Sequence, residues 1–280
     1  MSQAIVEVRD LSFCFPRKKV LDGLSFSLRK GEWAVVAGRN GAGKSTLLRL
    51  LAGVLFPDSG TIERAAGAGP VGTGFISDRL SLFEDWTIGQ AVAFHCRVFR
   101  LGAFDDRLVR RLGVGAATRI RSLSAGERAI LHLSLVLAQK PSLLLVDEVL
   151  HMLDPYIRDL FIEALIEAIV VQEATVLTVN HTFSEIERIP ERVLVMDEGR
   201  FVIDEATEAL RAKMKKIVSR EPLPAGIPCV FRKDDGDIKE YFIYPFDGSQ
   251  AARALDPLDI PLPEIIKAFI GGGYDKKRMA

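Results

Sequence analysis

The chain has 280 residues, of which 48% are hydrophobic and 26% charged, so it can bury the core of one large domain and carry an appendage. Its 37 lysines and arginines balance 37 aspartates and glutamates, which removes the basic surplus expected of a nucleic-acid-binding protein. No apolar run approaches the roughly 18 residues of a membrane span, and the N-terminus lacks the order of a signal peptide, so we expect a cytoplasmic protein. Cys14, Cys96 and Cys229 are too widely separated for a disulfide framework or a zinc site.

The first elements predict a short antiparallel sheet and then a strand, a glycine-rich loop and a helix. The segments AIVEVRDLSFCF and LSFSL alternate as half-buried strands do, with the basic turn PRKK between them. EWAVVAG, from Glu32 to Gly38, is a continuous apolar strand. KSTLLRLLAGV has leucines at helical spacing and ends at Gly53, a typical residue just past a helix.

The middle of the chain predicts a helical insert and a parallel sheet. Residues 85–140 switch to helical spacing, with one helix ending at Gly113 and another opened by Ser124. SLLLVDE and ATVLTVNH are buried-type strands separated by the helical PYIRDLFIEALIEAIV, so the core alternates strand and helix. RVLVMDEGRFVIDE predicts a hairpin that turns at Gly199. The fold class predicted is α/β, with a parallel-sheet core, an N-terminal antiparallel β subdomain and a helical insert.

The character of the sequence changes beyond about residue 215. Prolines at 222, 224 and 228 predict a linker into the hairpin CVFRKDDGDIKEYFIY. PLPEIIKAFIGGG predicts a last helix with Pro263 near its start, one apolar face and Gly271 at its end. We therefore divide the chain into a core domain, residues 1–215, and a small α+β accessory extension, residues 216–280.

The segment GRNGAGKST fits the phosphate-binding pattern G-x-x-x-x-G-K-[ST] and lies between the strand and the helix that this pattern requires. Its glycines let successive backbone N–H groups turn inward around phosphate oxygens, and Lys44 is expected to reach the β- and γ-phosphates. The Ser45 hydroxyl is expected to ligate Mg²⁺. The residues predicted to bind ATP in this loop are Gly38, Arg39, Asn40, Gly41, Ala42, Gly43, Lys44, Ser45 and Thr46.

Polar side chains at the ends of two later strands are candidates for a further Mg²⁺ ligand, a catalytic carboxylate and a γ-phosphate contact. In LLLVDE, Asp147 is predicted to hold Mg²⁺ and Glu148 to polarise the attacking water, which requires a carboxylate near the γ-phosphate. His181 follows the strand TVLTVN, and ligands of α/β sheets bind at the carboxyl ends of strands, which favours a γ-phosphate contact. A lone histidine in such a place is more usually structural.

SLSAGERAILHL begins a helix with a capping box, in which Ser124 and Glu127 bind each other's backbone N–H groups. Ala125 and Gly126 are small, so they leave the first-turn N–H groups and the positive end of the helix dipole open to an anion. These twelve residues alone do not identify that anion.

The motifs GRNGAGKST, LSAGE, LLLVDE, HMLD and VNH, in this order, resemble the nucleotide-binding subunit of an ATP-binding cassette (ABC) transporter over roughly residues 4–210. The resemblance implies a P-loop ATPase that binds ATP and Mg²⁺ and works as a homodimer or heterodimer. In that dimer each LSAGE signature, Ser124 to Glu127, binds the γ-phosphate of the ATP held by the other subunit. Asp154 resembles the residue that communicates across the dimer. Phe15 falls where the family stacks an aromatic ring on adenine, and a core strand residue is the alternative.

Two departures from the family pattern stand out. The signature is LSAGE where LSGGQ is common, and as a capping residue Glu127 would fold back on its own helix. Asp78 stands where the family has a glutamine that contacts magnesium and water and senses the membrane partner. A carboxylate is a good ligand for Mg²⁺, but near a triphosphate it is tolerated only with the metal between them. A surface-loop aspartate is the alternative for Asp78.

The resemblance implies a subunit that hydrolyses ATP to power a separate integral membrane permease, as a peripheral protein on the inner face of the cell membrane. The extension resembles the tails of bacterial exporter ATPases, which favours export. The permease surface is expected near residues 78–98, with Trp86 and Phe83 as apolar anchors and core packing as the alternative for each. The competing interpretation is a soluble ABC-type ATPase without a membrane partner, for example of the iron–sulfur assembly type.

Overall fold

The computed structural model describes residues 3–65, 72–77, 82–179, 190–224, 226–248 and 255–271. Within these residues the chain forms an N-terminal sheet, a central sheet and a C-terminal sheet. The N-terminal sheet is antiparallel, as predicted, and has the order β2-β1-β4, with β1 (Ala4–Phe15), β2 (Lys18–Arg29) and β4 (Ser59–Arg64).

The central sheet has six strands in the order β5-β6-β7-β3-β8-β9. In that order they are β5 (Thr73–Ser77), β6 (Leu143–Asp147), β7 (Thr175–Val179), β3 (Trp33–Gly38), β8 (Arg192–Asp197) and β9 (Arg200–Ala206). The first five are parallel, and β9 pairs antiparallel with β8 in the hairpin predicted at Gly199. The carboxyl ends of β3, β5, β6 and β7 therefore meet at one edge of the sheet.

The described residues contain seven α-helices, and the predicted terminal residues Gly53, Gly113 and Ser124 lie at the ends of three of them. They are α1 (Lys44–Leu51), α2 (Ile88–Val98), α3 (Arg107–Arg111), α4 (Ala125–Leu137), α5 (Pro155–Gln172), α6 (Thr207–Lys213) and α7 (Leu262–Gly271). In the insert, helices α2, α3 and α4 share a small apolar core. None of the described helices is long and apolar enough to cross a membrane.

The inner strands of the central sheet, β6, β7, β3 and β8, are mainly apolar, and their side chains are buried on both faces of the sheet. Val35 and Val146 point into a cluster with α4 and α5, whereas Val36 and Leu145 point into a second cluster with α1 and the N-terminal sheet. This alternation follows from the period of two along a strand. Both faces are covered, so the site lies at the strand ends.

The C-terminal segment forms an antiparallel sheet in the order β10-β12-β11, with β10 (Lys215–Ser219), β11 (Cys229–Asp235) and β12 (Ile238–Ile243). Strands β11 and β12 are the hairpin that the sequence predicted. The following helix, α7, buries Ile265, Ile266 and Phe269 in the same cluster as Val193 of β8. The division of the chain at residue 215 stays a prediction, since this helix shares the core of the central sheet.

Candidate functional site

The phosphate loop, residues 38–46, joins β3 to α1 and passes close to neighbouring backbone. A Cβ atom on Gly38 would lie 2.3 Å from the carbonyl oxygen of Met196, which only glycine allows. Gly43, just before α1, has a φ of 110°, and a Cβ there would lie 2.9 Å from the carbonyl oxygen of Val20. Gly38 and Gly43 are therefore required by the close approach of neighbouring strands.

Lys44, the first residue of α1, is enclosed by the loop that it follows. Its side chain is 4% exposed, and its ammonium donates hydrogen bonds to the carbonyl oxygens of Gly38 (2.9 Å) and Arg39 (3.1 Å). The ammonium also lies 3.8 Å from Oε1 of Glu148. Burial lowers the pKa of Lys44, and the carboxylates of Glu148 and Asp147 act in the opposite direction. A positive charge is thus held at the centre of the loop.

Ser45 and Asp147 place two oxygen ligands beside this lysine. The Ser45 hydroxyl donates a hydrogen bond to Oδ1 of Asp147 at 3.0 Å, and Asp147 is buried at the end of β6. In the described part of the chain no group of three or more His, Cys, Asp or Glu side chains is suited to a metal. A hydroxyl and a single carboxylate nevertheless fit Mg²⁺, which binds through one or two protein ligands together with phosphates and water.

Glu148 follows Asp147 directly and has an unusual backbone conformation. Its φ is 52°, in the left-handed region, and its N–H donates a hydrogen bond to the carbonyl oxygen of Val179 at 3.1 Å. Such a conformation costs a non-glycine residue of order 1 kcal/mol or more and is concentrated at functional sites. Because of this turn, the Glu148 side chain lines the same cavity as Lys44.

These residues surround a cavity of about 380 Å³. Its walls include the phosphate loop, Glu148 and three side chains of the first hairpin, Phe15, Lys18 and Val20. The Phe15 ring is 43% exposed and packs edge-on against Phe13, with ring centroids 5.0 Å apart. The structure therefore places Phe15 at the wall of the cavity that the phosphate loop lines, whereas the sequence analysis did not point to Lys18 or Val20.

The capping box at the start of α4 is present as predicted. The Ser124 hydroxyl accepts a hydrogen bond from the N–H of Glu127 at 3.1 Å, and Oε2 of Glu127 accepts one from the N–H of Ser124 at 2.7 Å. Ser124 and Ala125 are exposed, whereas Gly126 is buried. None of these residues lines the cavity around Lys44. The signature of this chain is thus separate from its own phosphate loop.

Asp154 has a structural role that the sequence analysis missed. It is the N-cap of α5, and its Oδ1 accepts a hydrogen bond from the N–H of Ile157 at 3.1 Å. A Cβ on Gly126 would lie only 3.1 Å from Cγ2 of Ile157. The signature and the first turn of α5 are therefore packed together. Asp followed by Pro155 is an N-cap signal that could have predicted this cap.

Two predicted site residues, Asp78 and His181, lie outside the described residues. Their described neighbours end adjacent strands at the site: Ser77 pairs with Asp147, and Asp147 pairs with Val179.

A second, mainly apolar cavity of about 570 Å³ lies between α2, α4 and β5. We call it the aromatic groove and define it by Phe83, Trp86, Phe94, His95, Phe99 and His132. The rings of Phe83 and Trp86 stack with centroids 4.4 Å apart, and Phe83 is 58% exposed. Burial lowers the pKa of His132 to about 4, with a smaller contribution from His95, whose own pKa burial also lowers. The sequence pointed to Phe83 and Trp86 but not to the histidines.

Comparisons with known proteins agree with this arrangement. A family model described as ABC transporter matches residues 21–151. The Nod factor export ATP-binding protein I of Paraburkholderia xenovorans is 33% identical over 76% of this chain and 74% of its own length.

Solved structures have the same fold. The ATP-binding subunit of an ABC transporter superposes with a TM-score of 0.67 and 23% identity, over 74% of this chain and 92% of that one. The cbiO1 protein of Clostridium perfringens, described as part of the ABC transporter complex cbiONQ, gives 0.62 and 23%, over 73% and 89%.

Proposed function

The chain belongs to the ATP-binding subunits of ABC transporters and is an ATPase, and from that premise we propose that it drives a separate integral membrane permease. One observation supports the proposed ATP hydrolysis most directly. Lys44, Ser45, Asp147 and Glu148 line or adjoin one cavity at the carboxyl ends of β3 and β6, with the ammonium of Lys44 3.8 Å from the Glu148 carboxylate. The export named in the relative favours export as the direction of transport for this chain.

Hydrolysis follows from the charges at the cavity. The N–H groups of the phosphate loop and the ammonium of Lys44 bind the β- and γ-phosphates, and the Phe15 ring packs on the adenine. Glu148 orients the attacking water and accepts its proton, while His181 contacts the γ-phosphate. Ser45 and Asp147, with Asp78, would hold Mg²⁺, whose charge offsets that of the phosphates when it is bound.

A second ATP-binding subunit, identical or homologous, completes each site. The exposed Ser124 and Ala125 leave the N-terminal N–H groups of α4 open to an anion, and they lie apart from the cavity of their own chain. A head-to-tail dimer brings them to the γ-phosphate in the partner's site, with two ATPs between the subunits. Asp154 communicates across this dimer, since its helix packs on Gly126.

The aromatic groove is the proposed docking site of the permease. It is apolar, and its rim exposes Phe83, so a short apolar helix of the permease can bury its side chains there. This places the chain peripherally on the inner face of the cell membrane. A soluble ABC-type ATPase of the iron–sulfur assembly type would have a soluble partner at this groove instead.

The variant Glu148→Gln tests the proposed dimer and the role of Glu148 together. Glutamine keeps the shape of the side chain but cannot take a proton, so hydrolysis should fall by at least about 100-fold. ATP bound between the subunits then persists, and size-exclusion chromatography with light scattering should detect an ATP-dependent dimer.

Lys44→Ala is the matched control, since it removes the phosphate-binding ammonium and should give no dimer in ATP. Hydrolysis at the normal rate by Glu148→Gln, or a dimer that forms equally well without nucleotide, would contradict the proposal.

A further inference from the structure

The basic turn between β1 and β2 brings a second ammonium to the nucleotide cavity. Phe15 and Lys18 are direct partners in the register of this hairpin. Side chains of directly opposed residues lie on the same face of a sheet, with Cβ atoms about 5 Å apart. Both side chains line the cavity, so one hairpin presents an aromatic ring and a cation side by side.

The position of the Lys18 ammonium relates it to the phosphate loop. Its Nζ lies 4.0 Å from the point that a Cβ on Gly41 would occupy. The φ of Gly41 is 82°, a left-handed conformation that belongs to the loop turning its N–H groups inward. The ammonium therefore stands within a few ångströms of the backbone that cradles phosphate.

The other groups around Lys18 leave its charge uncompensated. Among the described residues Lys18 has no ion pair or side-chain hydrogen bond, whereas its neighbour Lys19 pairs with Asp22. The carboxylate of Glu148 also faces the cavity, but it lies next to Lys44. Lys44 is buried and fixed by two carbonyl oxygens, whereas Lys18 is exposed on a flexible stem that can follow a ligand.

We propose that Lys18 is a second cationic ligand of the bound nucleotide and contacts its phosphates from the solvent side of the cavity. The proposal rests on the ATP site described above. A nucleoside triphosphate carries several negative charges, and a unit charge about 4 Å away at a solvent-exposed site changes affinity roughly 5-fold. The hairpin thus holds the base through Phe15 and the phosphates through Lys18.

The test is the affinity for ATP of the full-length subunit, measured by isothermal titration calorimetry at 50 mM and 300 mM NaCl. Lys18→Gln should raise the Kd for ATP about 5- to 10-fold at 50 mM NaCl, and by less at 300 mM, because salt screens an exposed charge. Lys18→Arg should restore most of the affinity. Arg17→Gln is the matched control, since Arg17 belongs to the same turn but does not line the cavity, and it should bind ATP like the wild type.

Two results would overturn the proposal. One is an unchanged Kd and salt dependence in Lys18→Gln. The other is an equal loss in Arg17→Gln, which would assign the effect to the general charge of the turn. Equal thermal unfolding of the two variants excludes a folding defect. A wild-type subunit that failed to bind ATP would instead contradict the proposed function, and no permease is needed for either measurement.

Discussion

At the scale of single residues, His132 shows how burial sets the charge of a side chain away from the ATP site. Burial lowers its pKa from the ordinary 6.5 to about 4, and its Nδ1 has no hydrogen-bond partner among the described residues. The positive charge of His95 would oppose protonation further. We therefore expect His132 to be neutral in the folded protein at pH values near 7.

The pH dependence of stability should report this histidine. Between pH 6.5 and pH 4 the unfolded chain binds a proton at His132 that the folded chain does not, so folding stability falls as the pH decreases through this window. For a pKa of about 4, the loss between pH 7 and pH 5 is about 2 kcal/mol. Urea unfolding of the wild type and of His132→Leu at both pH values measures it.

In His132→Leu this part of the loss should disappear, because leucine does not titrate. An equal decrease of the free energy of unfolding in both proteins between pH 7 and pH 5 would show that His132 is not responsible.

The sequence predicted the residues of the phosphate loop because their chemistry depends on local spacing. Lys44 and Ser45 follow the glycines at fixed offsets, and the structure brings them to Asp147 and Glu148. Local spacing could not predict the position of Lys18 at the cavity. That position depends on how β1 and β2 pair and on where the two strands lie over the loop. Spacing along the chain contains no information about that contact.

At the scale of elements, the caps decide where helices begin and what they present. Ser124 both caps α4 and lies where the partner's phosphate is proposed to bind. These two roles make different demands. A cap needs a side-chain oxygen acceptor, whereas an anion site must not carry a negative charge.

Substitutions at Ser124 should separate the two roles. Ser124→Ala removes the acceptor, so the free energy of unfolding should fall by about 1 kcal/mol and ATP hydrolysis should be lost. Ser124→Asp keeps an N-cap acceptor and should retain wild-type stability, yet its carboxylate repels phosphate and hydrolysis should still be lost. Thermal unfolding and phosphate release measure the two properties. Hydrolysis at the wild-type rate by Ser124→Asp would contradict the signature's proposed contact with phosphate.

The elements predicted from sequence were the strongly patterned ones, and those that it did not predict are both short and weakly patterned. Strands β4, β5 and β10 and helix α6 have five to seven residues each. In β4, SGTIER, Ile62 is the one large apolar residue. Such segments become strands because they pair with partners distant in sequence, β4 with β1 and β10 with β12. The local sequence pattern does not identify those partners.

At the scale of the whole molecule, the C-terminal segment packs against the ATPase core. Phe269 of α7 is 2% exposed, packs edge-on against Tyr244 and belongs to the cluster that covers one face of the central sheet. The sequence predicted the apolar face of this helix, but an amphipathic pattern does not say which surface covers it. The segment therefore contributes to stability, whatever further role it has.

Removing the Phe269 ring should destabilise the whole protein. Phe269→Ala leaves a cavity in the main core and should lower the free energy of unfolding by about 3 to 5 kcal/mol. The control Leu258→Ala changes a half-exposed side chain of the same segment and should cost only about 0.5 kcal/mol. Chemical denaturation followed by tryptophan fluorescence compares them. Similar, small losses in both variants would mean that α7 is dispensable for the core.

The central claim, that this ATPase drives a membrane permease, is tested most directly by isolating its partner. The tagged protein is recovered from native membranes in mild detergent, beside Phe83→Asp in the aromatic groove and Phe56→Asp, which charges an 81% exposed phenylalanine outside it. We expect a multi-span membrane protein in stoichiometric yield with the wild type and Phe56→Asp, and its loss with Phe83→Asp. Recovery of the wild type from the cytosol alone, by itself or with soluble partners, would contradict the claim and favour a soluble ABC-type ATPase.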